Sequence, residues 1–439
     1  MQLQVLDESV RFSCGSCTRC CDQPWRTLIE PDKAAALDAH DWSGYPQLTG
    51  RTLYTKPKGS SETLYELAKG EGTRCVFLDT DGLCIVHKEL GAEAKPHMCR
   101  QFPYLPARTW VDDRISVNFG CPSVQDAHGV TLAEQRDEIA ELVPLTTRDP
   151  KPDAPVAFDA TLRLTPAEND ALFERAVALF DPQTDEDLWT RFADLVALLA
   201  AVGDTKRNAQ DDPSSDRLVT LLRSNERLPN TPDVPEIRAF EHPSQAPMPV
   251  RFLFAATLYP DTVPADATTR LGFGRRLTLI PKLFALARLS GGYASRLLGR
   301  NVSIDDVVEH EVADKLAPAG RDLLVRYFQS RLWQRFLAGT RLTVLAGIHQ
   351  HICDLNAVVF LARAEALARG TTRLTEEIVH EALTRVEFHL ANQSRLWDQT
   401  LKGWLRTQLR NPALAAASLR LMALKRPATI PTEQAGVAG

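Results

Sequence analysis

The sequence predicts an α+β chain that is mainly α: a small, irregular, cysteine-rich metal-binding module followed by a larger all-α helical domain. Three observations carry this. Eight of the nine cysteines lie before residue 122. A Pro- and Asp-containing stretch at about 145–160 separates that region from the rest. Beyond it, apolar residues recur at helical rather than alternating spacing. The chain divides accordingly into a cysteine-cluster metal-binding domain (1–125), a helix and linker (126–160), a helical domain (161–426) and a flexible tail (427–439).

In the first region, Trp25 to Ile29 reads as a strand, and Glu30-Pro31-Asp32 opens a helix with Pro in its first turn. Cys75 to Leu78 and Leu83 to Val86 flank Asp79-Thr80-Asp81-Gly82, which predicts a hairpin. Arg108 to Val111 and Arg114 to Phe119 flank Asp112-Asp113 and predict a second. After the linker, Thr165-Pro166-Ala167-Glu168 is a capping box with Pro at the first helical position. A further helix is expected over about Asp185 to Val202, and an extended loop over the Pro-rich 224–249. Ser303 and Thr375 read as caps, and Pro318 opens an amphipathic stretch reaching Trp333 and Phe336. A long helix is expected over Leu342 to Arg369, ended by Gly370.

Composition narrows the function class. Of 439 residues, 44% are hydrophobic and 24% charged, which excludes wholesale disorder. The net charge of -5 argues against a strongly basic nucleic-acid binder. The start lacks a basic segment followed by an apolar one, and Leu342 to Leu361 is interrupted by His349, Gln350, His351, Asp354 and Asn356. A cytoplasmic protein without a membrane partner is expected. Clustered cysteines in such a compartment point to metal or catalysis rather than to disulfides.

Cys14-x2-Cys17-x2-Cys20-Cys21 is the strongest signal. Two-residue gaps let a tight turn aim successive thiolates at one centre, as in zinc and iron–sulfur sites. Thiolates are soft donors that select zinc, Cu(I) or iron–sulfur clusters over magnesium or calcium. Neighbouring side chains diverge, so Cys20 and Cys21 fit two centres, or one ligand and a supporting thiol. Cys75, Cys84, Cys99 and Cys121 complete the set of eight. Eight thiols make two four-thiolate sites, or one cluster with spare thiols, and the spacing does not choose.

Other candidates are weaker. His87 and His97 lie within the cysteine region and are weighed as ligands against surface histidines. Arg100 is weighed between lowering the Cys99 pKa and a plain salt bridge. His349 and Cys353 share a helical face and read as a buried polar patch with a core cysteine. Asp79, Asp81, Asp112 and Asp113 read as turn formers. Between residues 321 and 426 Lys and Arg outnumber Asp and Glu, read as a solvated face or as a surface for an acidic partner. Gly272-Phe273-Gly274 and Gly291-Gly292 follow no convincing strand and read as helix-connecting loops, so no dinucleotide-type fold is indicated.

The cysteine order resembles the YkgJ-type cysteine-cluster family. The likeness is carried by the first motif, Cys75-Val76-Phe77-Leu78, Cys84-Ile85-Val86, Pro96-x2-Cys99-Arg100-Gln101-Phe102-Pro103 and Cys121-Pro122, over residues 11 to 123. Two departures are Lys95 where the family often has Arg, and His87 where it often has Tyr. The resemblance implies a zinc- or iron-chelating site. A cysteine module followed by a long helical part is most similar to the flagellin lysine-N-methylase (FliB-type) branch. That similarity implies an iron–sulfur cluster or zinc, and S-adenosylmethionine-dependent methylation of lysines on a flagellin-like protein substrate. The competing reading is a non-enzymatic zinc-binding protein whose basic helical domain recognises a partner macromolecule.

Overall fold

The computed structural model describes residues 3–6, 10–23, 25–56, 64–109, 112–142, 155–208, 216–224, 242–262, 281, 283–310, 312, 316–334, 343–390 and 412–422. The core of the linker (147–154), most of the Pro-rich loop (225–241), Gly272 to Gly274 and the 427–439 tail lie outside these residues. Two compact units are present: Met1–Pro152 with Ser330–Gly339, and Asp153–Gln329 with Thr340–Gly439.

The first unit runs β1 (Leu3–Val5), β2 (Arg11–Phe12), β3 (Leu28–Ile29), α1 (Pro31–Ala39), β4 (Tyr54–Thr55), β5 (Tyr65–Leu67), α2 (Ile85–Leu90), α3 (His97–Gln101), β6 (Tyr104–Arg108), β7 (Asp113–Val117), α4 (Pro122–Gln125), β8 (Val130–Thr131) and α5 (Arg136–Leu142). Three small sheets hold it together. β1 pairs parallel to β7, which pairs antiparallel to β6 with Tyr104 opposite Val117. β5 lies between β3 and β4, and β2 pairs with β8. The second expected hairpin is therefore present, shifted to β6 and β7. Trp25 to Ile29 yields only the short strand β3.

The first expected hairpin closes differently. Leu78 and Cys84 form one isolated bridge, and Cys84 then caps α2 instead of continuing a strand. The reason is packing. Ile85 and Val86 are adjacent and both buried, at 0% and 2% exposure. Adjacent strand residues point to opposite faces, whereas a helical turn can place both in one core. That core joins Ile29, Leu37, Leu67 and Phe77, with Cys75 and Cys84 packed on its edge.

In the second unit, β9 (Val156–Ala157) and β10 (Arg163–Leu164) form a small hairpin. Helices follow: α6 (Pro166–Ala178), α7 (Leu188–Asn208), α8 (Asp216–Arg223) and α9 (Met248–Leu258). The capping box on α6 forms, with the Thr165 hydroxyl accepting from Glu168 N–H and the Glu168 carboxylate accepting from Thr165 N–H. A second hairpin, β11 (Gly292–Ser295) and β12 (Arg300–Ser303), leads into α10 (Ile304–Glu309), which Ser303 caps. Gly291-Gly292 thus enters a strand rather than joining two helices. α11 (Pro318–Trp333), α12 (Val344–Ala368), α13 (Glu376–Arg385) and α14 (Pro412–Leu419) complete the order.

α12 is long and apolar enough to cross a membrane, yet every residue of its apolar window is buried inside the protein. Arg363 donates to the carbonyls of Val307, Val308 and His310. Arg191 on α7 likewise donates to the carbonyls of Leu179, Asp181, Thr184 and Glu186. Each buried guanidinium thereby ties together several carbonyls of a loop or helix end.

Candidate metal centre

The loop bearing the first four cysteines is curled by two left-handed residues, Ser16 (φ 50°) and Thr18 (φ 65°). The Thr18 carbonyl then accepts from Cys21 N–H at 2.8 Å and Asp22 N–H at 3.1 Å. Arg19–Cys21 forms a single tight turn. Cys14 and Cys17 are exposed, and Cys20 and Cys21 half-buried with their sulfurs 3.9 Å apart.

Backbone pairing attaches the second pair of cysteines to this loop. Cys75 N–H donates to the Cys21 carbonyl at 2.7 Å, and Asp22 bridges Arg74. Leu78 N–H donates to the Cys75 carbonyl, and Leu78 bridges Cys84. The intervening turn is made as read from its residues: Asp79 accepts from Thr80 N–H, and Asp81 from Leu83 N–H. Lys88 clamps both carboxylates, at 2.6 and 2.5 Å. Cys99 sits in the short α3, and Cys121 is the buried residue that precedes α4.

Seven of the eight thiols, all but Cys75, line one cavity of about 660 Å³. Cys75 is adjacent, with its backbone on Cys21. Among the described residues, no three His, Cys, Asp or Glu side chains are drawn together into a finished metal cage. The cysteines are gathered round a common space, and closing on a metal requires the side chains to turn inward.

Electrostatics identify which thiols feel one another. Cys20 and Cys21 share a hydrogen bond that pushes the Cys20 thiol up. The same bond, helped by the Lys95 and Lys69 charges and opposed by burial, holds Cys21 at about 7. Burial pushes Cys75 and Cys121 up to about 11, and raises Cys84. Burial also raises Cys99, reinforced by Cys75, Cys21 and Cys84. Lys95 opposes this rise at both Cys84 and Cys99. Thiols crowded in this way are costly to ionise together, and a bound cation reverses that balance by deprotonating its ligands. The donor set fits zinc or an iron–sulfur cluster, both of which prefer thiolate.

Sequence reasoning missed Lys95 and Lys69 as the charges that serve the thiols. Lys95 was visible only as a departure from Arg. His87 lines the cavity, whereas His97 is not among its lining residues. Arg100 lines it too, and its guanidinium pairs with Glu93 at 2.6 Å. Outside the module, His349 and Cys353 are both buried in the second unit. The His349 Nδ1 faces the Leu345 carbonyl at 3.1 Å, and burial raises the Cys353 thiol. These are core groups. Part of the basic excess after residue 321 is internal as well. Arg363 is buried, and Arg369 pairs with Glu365, Glu377 and Glu381.

Residues 13–122 match a family model described as "Putative zinc- or iron-chelating domain". Over 133 aligned residues the chain is 29% identical to the lysine-N-methylase of Salmonella typhimurium (strain LT2), covering 28% of this chain and 33% of that protein. The flagellar biosynthetic protein FliU of Salmonella muenchen is also 29% identical over 133 residues, covering 28% of this chain and 78% of that protein. The match thus spans about a third of the lysine-N-methylase. No solved structure matches.

Proposed function

We propose, from a zinc- or iron-chelating module at residues 13–122, that the chain holds an iron–sulfur cluster and serves methyl transfer to lysines of a flagellar protein. The observation that carries the metal reading is the gathering of Cys14, Cys17, Cys20, Cys21, Cys84, Cys99 and Cys121 round one cavity, with Cys75 hydrogen-bonded to the rim. Eight thiols in the module exceed the four that one zinc ion takes, which supports a polynuclear centre. Such a centre supplies either redox reactivity or Lewis acidity when bound. The protein's own residues supply the thiolates, the curled loop that carries four of them, and the Lys95 and Lys69 charges that offset thiolate repulsion.

The methyl-transfer part rests on the similarity to the lysine-N-methylase over the cysteine module. The donor we propose is S-adenosylmethionine. It would supply the methyl group: the neutral lysine amine's lone pair forms the carbon–nitrogen bond, the carbon–sulfur pair stays on sulfur as S-adenosylhomocysteine leaves, and the proton passes to water. The zinc-binding, partner-docking alternative is less well supported, because several of the arginines it needs are buried or paired.

The test has two stages. Anaerobically purified full-length protein should contain iron and acid-labile sulfide, absorb near 400 nm (about the usual region for such clusters) and bleach with dithionite. Stoichiometric zinc in a colourless protein would overturn the cluster assignment. Loaded protein, given S-adenosylmethionine and flagellar filament protein, should then produce methyl-lysine by mass spectrometry. No methyl-lysine with loaded protein would overturn the proposed activity.

A further inference from the structure

We infer that the eight cysteines serve two metal centres: an inner one held by Cys21, Cys75, Cys84 and Cys99, and an outer one held by Cys14, Cys17 and Cys121, with Cys20 between them. This rests on the metal reading above and divides its ligands.

The inner four share one scaffold. Cys21 and Cys75 are joined by a backbone hydrogen bond of 2.7 Å, Cys75 and Cys84 by the turn whose ends meet at the Leu78–Cys84 bridge. Cys75 and Cys84 both pack on the apolar core of the first unit. Cys99, on the short α3, lines the cavity beside Cys21 and Cys84 and completes this set. Four thiolates on a rigid frame make a closed site, the pattern of structural zinc and of four-cysteine clusters.

The outer three are built on different elements. The amide of Gly15, beside Cys14, donates to the Ser123 hydroxyl at 3.2 Å, and Ser123 is two residues from Cys121. A Cβ on Gly15 would lie 3.0 Å from that hydroxyl, so loop and helix start are in close contact. The thiols that act on Cys121 are Cys17 and Cys14. An open hollow lined by Gly15, Cys17, Pro122, Ser123 and residues 126–129 adjoins Cys17. Cys14 and Cys17 are exposed where the inner four are half-buried. Cys121 is buried, so solvent reaches this set from the Cys14 and Cys17 side. Three thiolates are one short of a closed four-thiolate site, the mark of a reactive rather than a structural site. Cys20 has its sulfur 3.9 Å from Cys21 and also feels Cys99 and Cys14, one thiol from each set.

The test is metal and sulfide content of the full chain and of two double variants, Cys14→Ser/Cys121→Ser and Cys84→Ser/Cys99→Ser. Each should retain the metal of the untouched centre and lose that of the other, with distinct visible spectra. Loss of all metal from both variants would overturn the division in favour of one shared centre. Should the variants fail to fold, metal release from wild-type protein to a chelator provides a second measure. Two phases, the faster one exposing Cys14 and Cys17 to alkylation, support the division, and a single phase exposing all eight thiols together overturns it. Wild-type protein that takes up neither iron nor zinc would remove the metal reading itself, an outcome distinct from a single centre.

Discussion

The backbone N–H of Cys75 donates to the carbonyl of Cys21 at 2.7 Å. This one bond fastens the hairpin-like turn of Cys75 and Cys84 to the loop of the first cysteine motif. Cysteines from distant parts of the sequence are thereby brought together by the backbone alone. The rest of the first unit has small sheets and a modest apolar core, so metal binding should contribute strongly to its stability.

Removing the metal should therefore unfold the first unit while the helical unit, with its own buried core, stays folded. Circular dichroism during chelator titration should show most helical signal retained, while Trp25 and Trp42 fluorescence changes. Complete loss of helical signal would contradict this.

Lys95 places its charge on Cys21, Cys84 and Cys99. Lys95→Gln should weaken metal retention about tenfold, the usual scale for groups that support ligands. Lys95→Arg should restore most of it. Equal retention in Lys95→Gln and wild type, by competition with a chelator, would exclude this role.

Gly129 has φ +99°, and a Cβ there would lie 2.2 to 2.6 Å from Ser13, including its backbone nitrogen. Both conformation and space forbid a side chain. Gly129→Ala should cost about 3 kcal/mol in the first unit and disturb the β2–β8 pairing beside Cys14. Chemical denaturation of the metal-loaded variant and wild type would measure it.

Arg191 satisfies four carbonyls from within a buried site. Arg191→Met should cost about 3 kcal/mol, because the charge-assisted hydrogen bonds by which the buried guanidinium holds the 179–186 loop to α7 are all lost. Lys at this position should rescue little, since one ammonium cannot reproduce the planar fork. Thermal unfolding of the helical unit gives the answer.

His349 is fully buried, and burial depresses its pKa from 6.5 to about 4. The unfolded chain therefore binds a proton in the window between those values that the folded chain does not. Its contribution is fully present above pH 6.5 and declines as pH falls toward about 4, reaching a loss of about 3 kcal/mol. Denaturation at pH 7 and pH 4.5 should show a smaller acid loss for His349→Gln than for wild type.

Much of this was legible in the residues. The C-x2-C-x2-C-C run, with four further cysteines before residue 122, marked a metal module through spacing and thiolate chemistry. The capping box at Thr165, the caps at Ser303 and Thr375, and the stop at Gly370 (φ 63°) were readable because each is a local rule. The failure at the first hairpin was tertiary in origin. Leu83 to Val86 has strand-like residues, but burial of both Ile85 and Val86 in one core made a helix. The linker 147–154 and the tail 427–439 lie outside the described residues.

By itself, then, the sequence determined that this is a thiol-rich module followed by helices, because residue type and short spacing are enough to fix donor chemistry and helix ends. It could not divide eight equivalent thiols, since nothing in a cysteine's neighbours says which distant cysteine it will meet. Only the tertiary structure decided that Cys75 is bonded to Cys21 and that Ser123, beside Cys121, holds the loop of Cys14. It also revealed that Lys95 and Lys69 act on the thiols. Those relationships depend on backbone pairing and core packing across long separations, and distance through space is the quantity that a one-dimensional pattern does not contain.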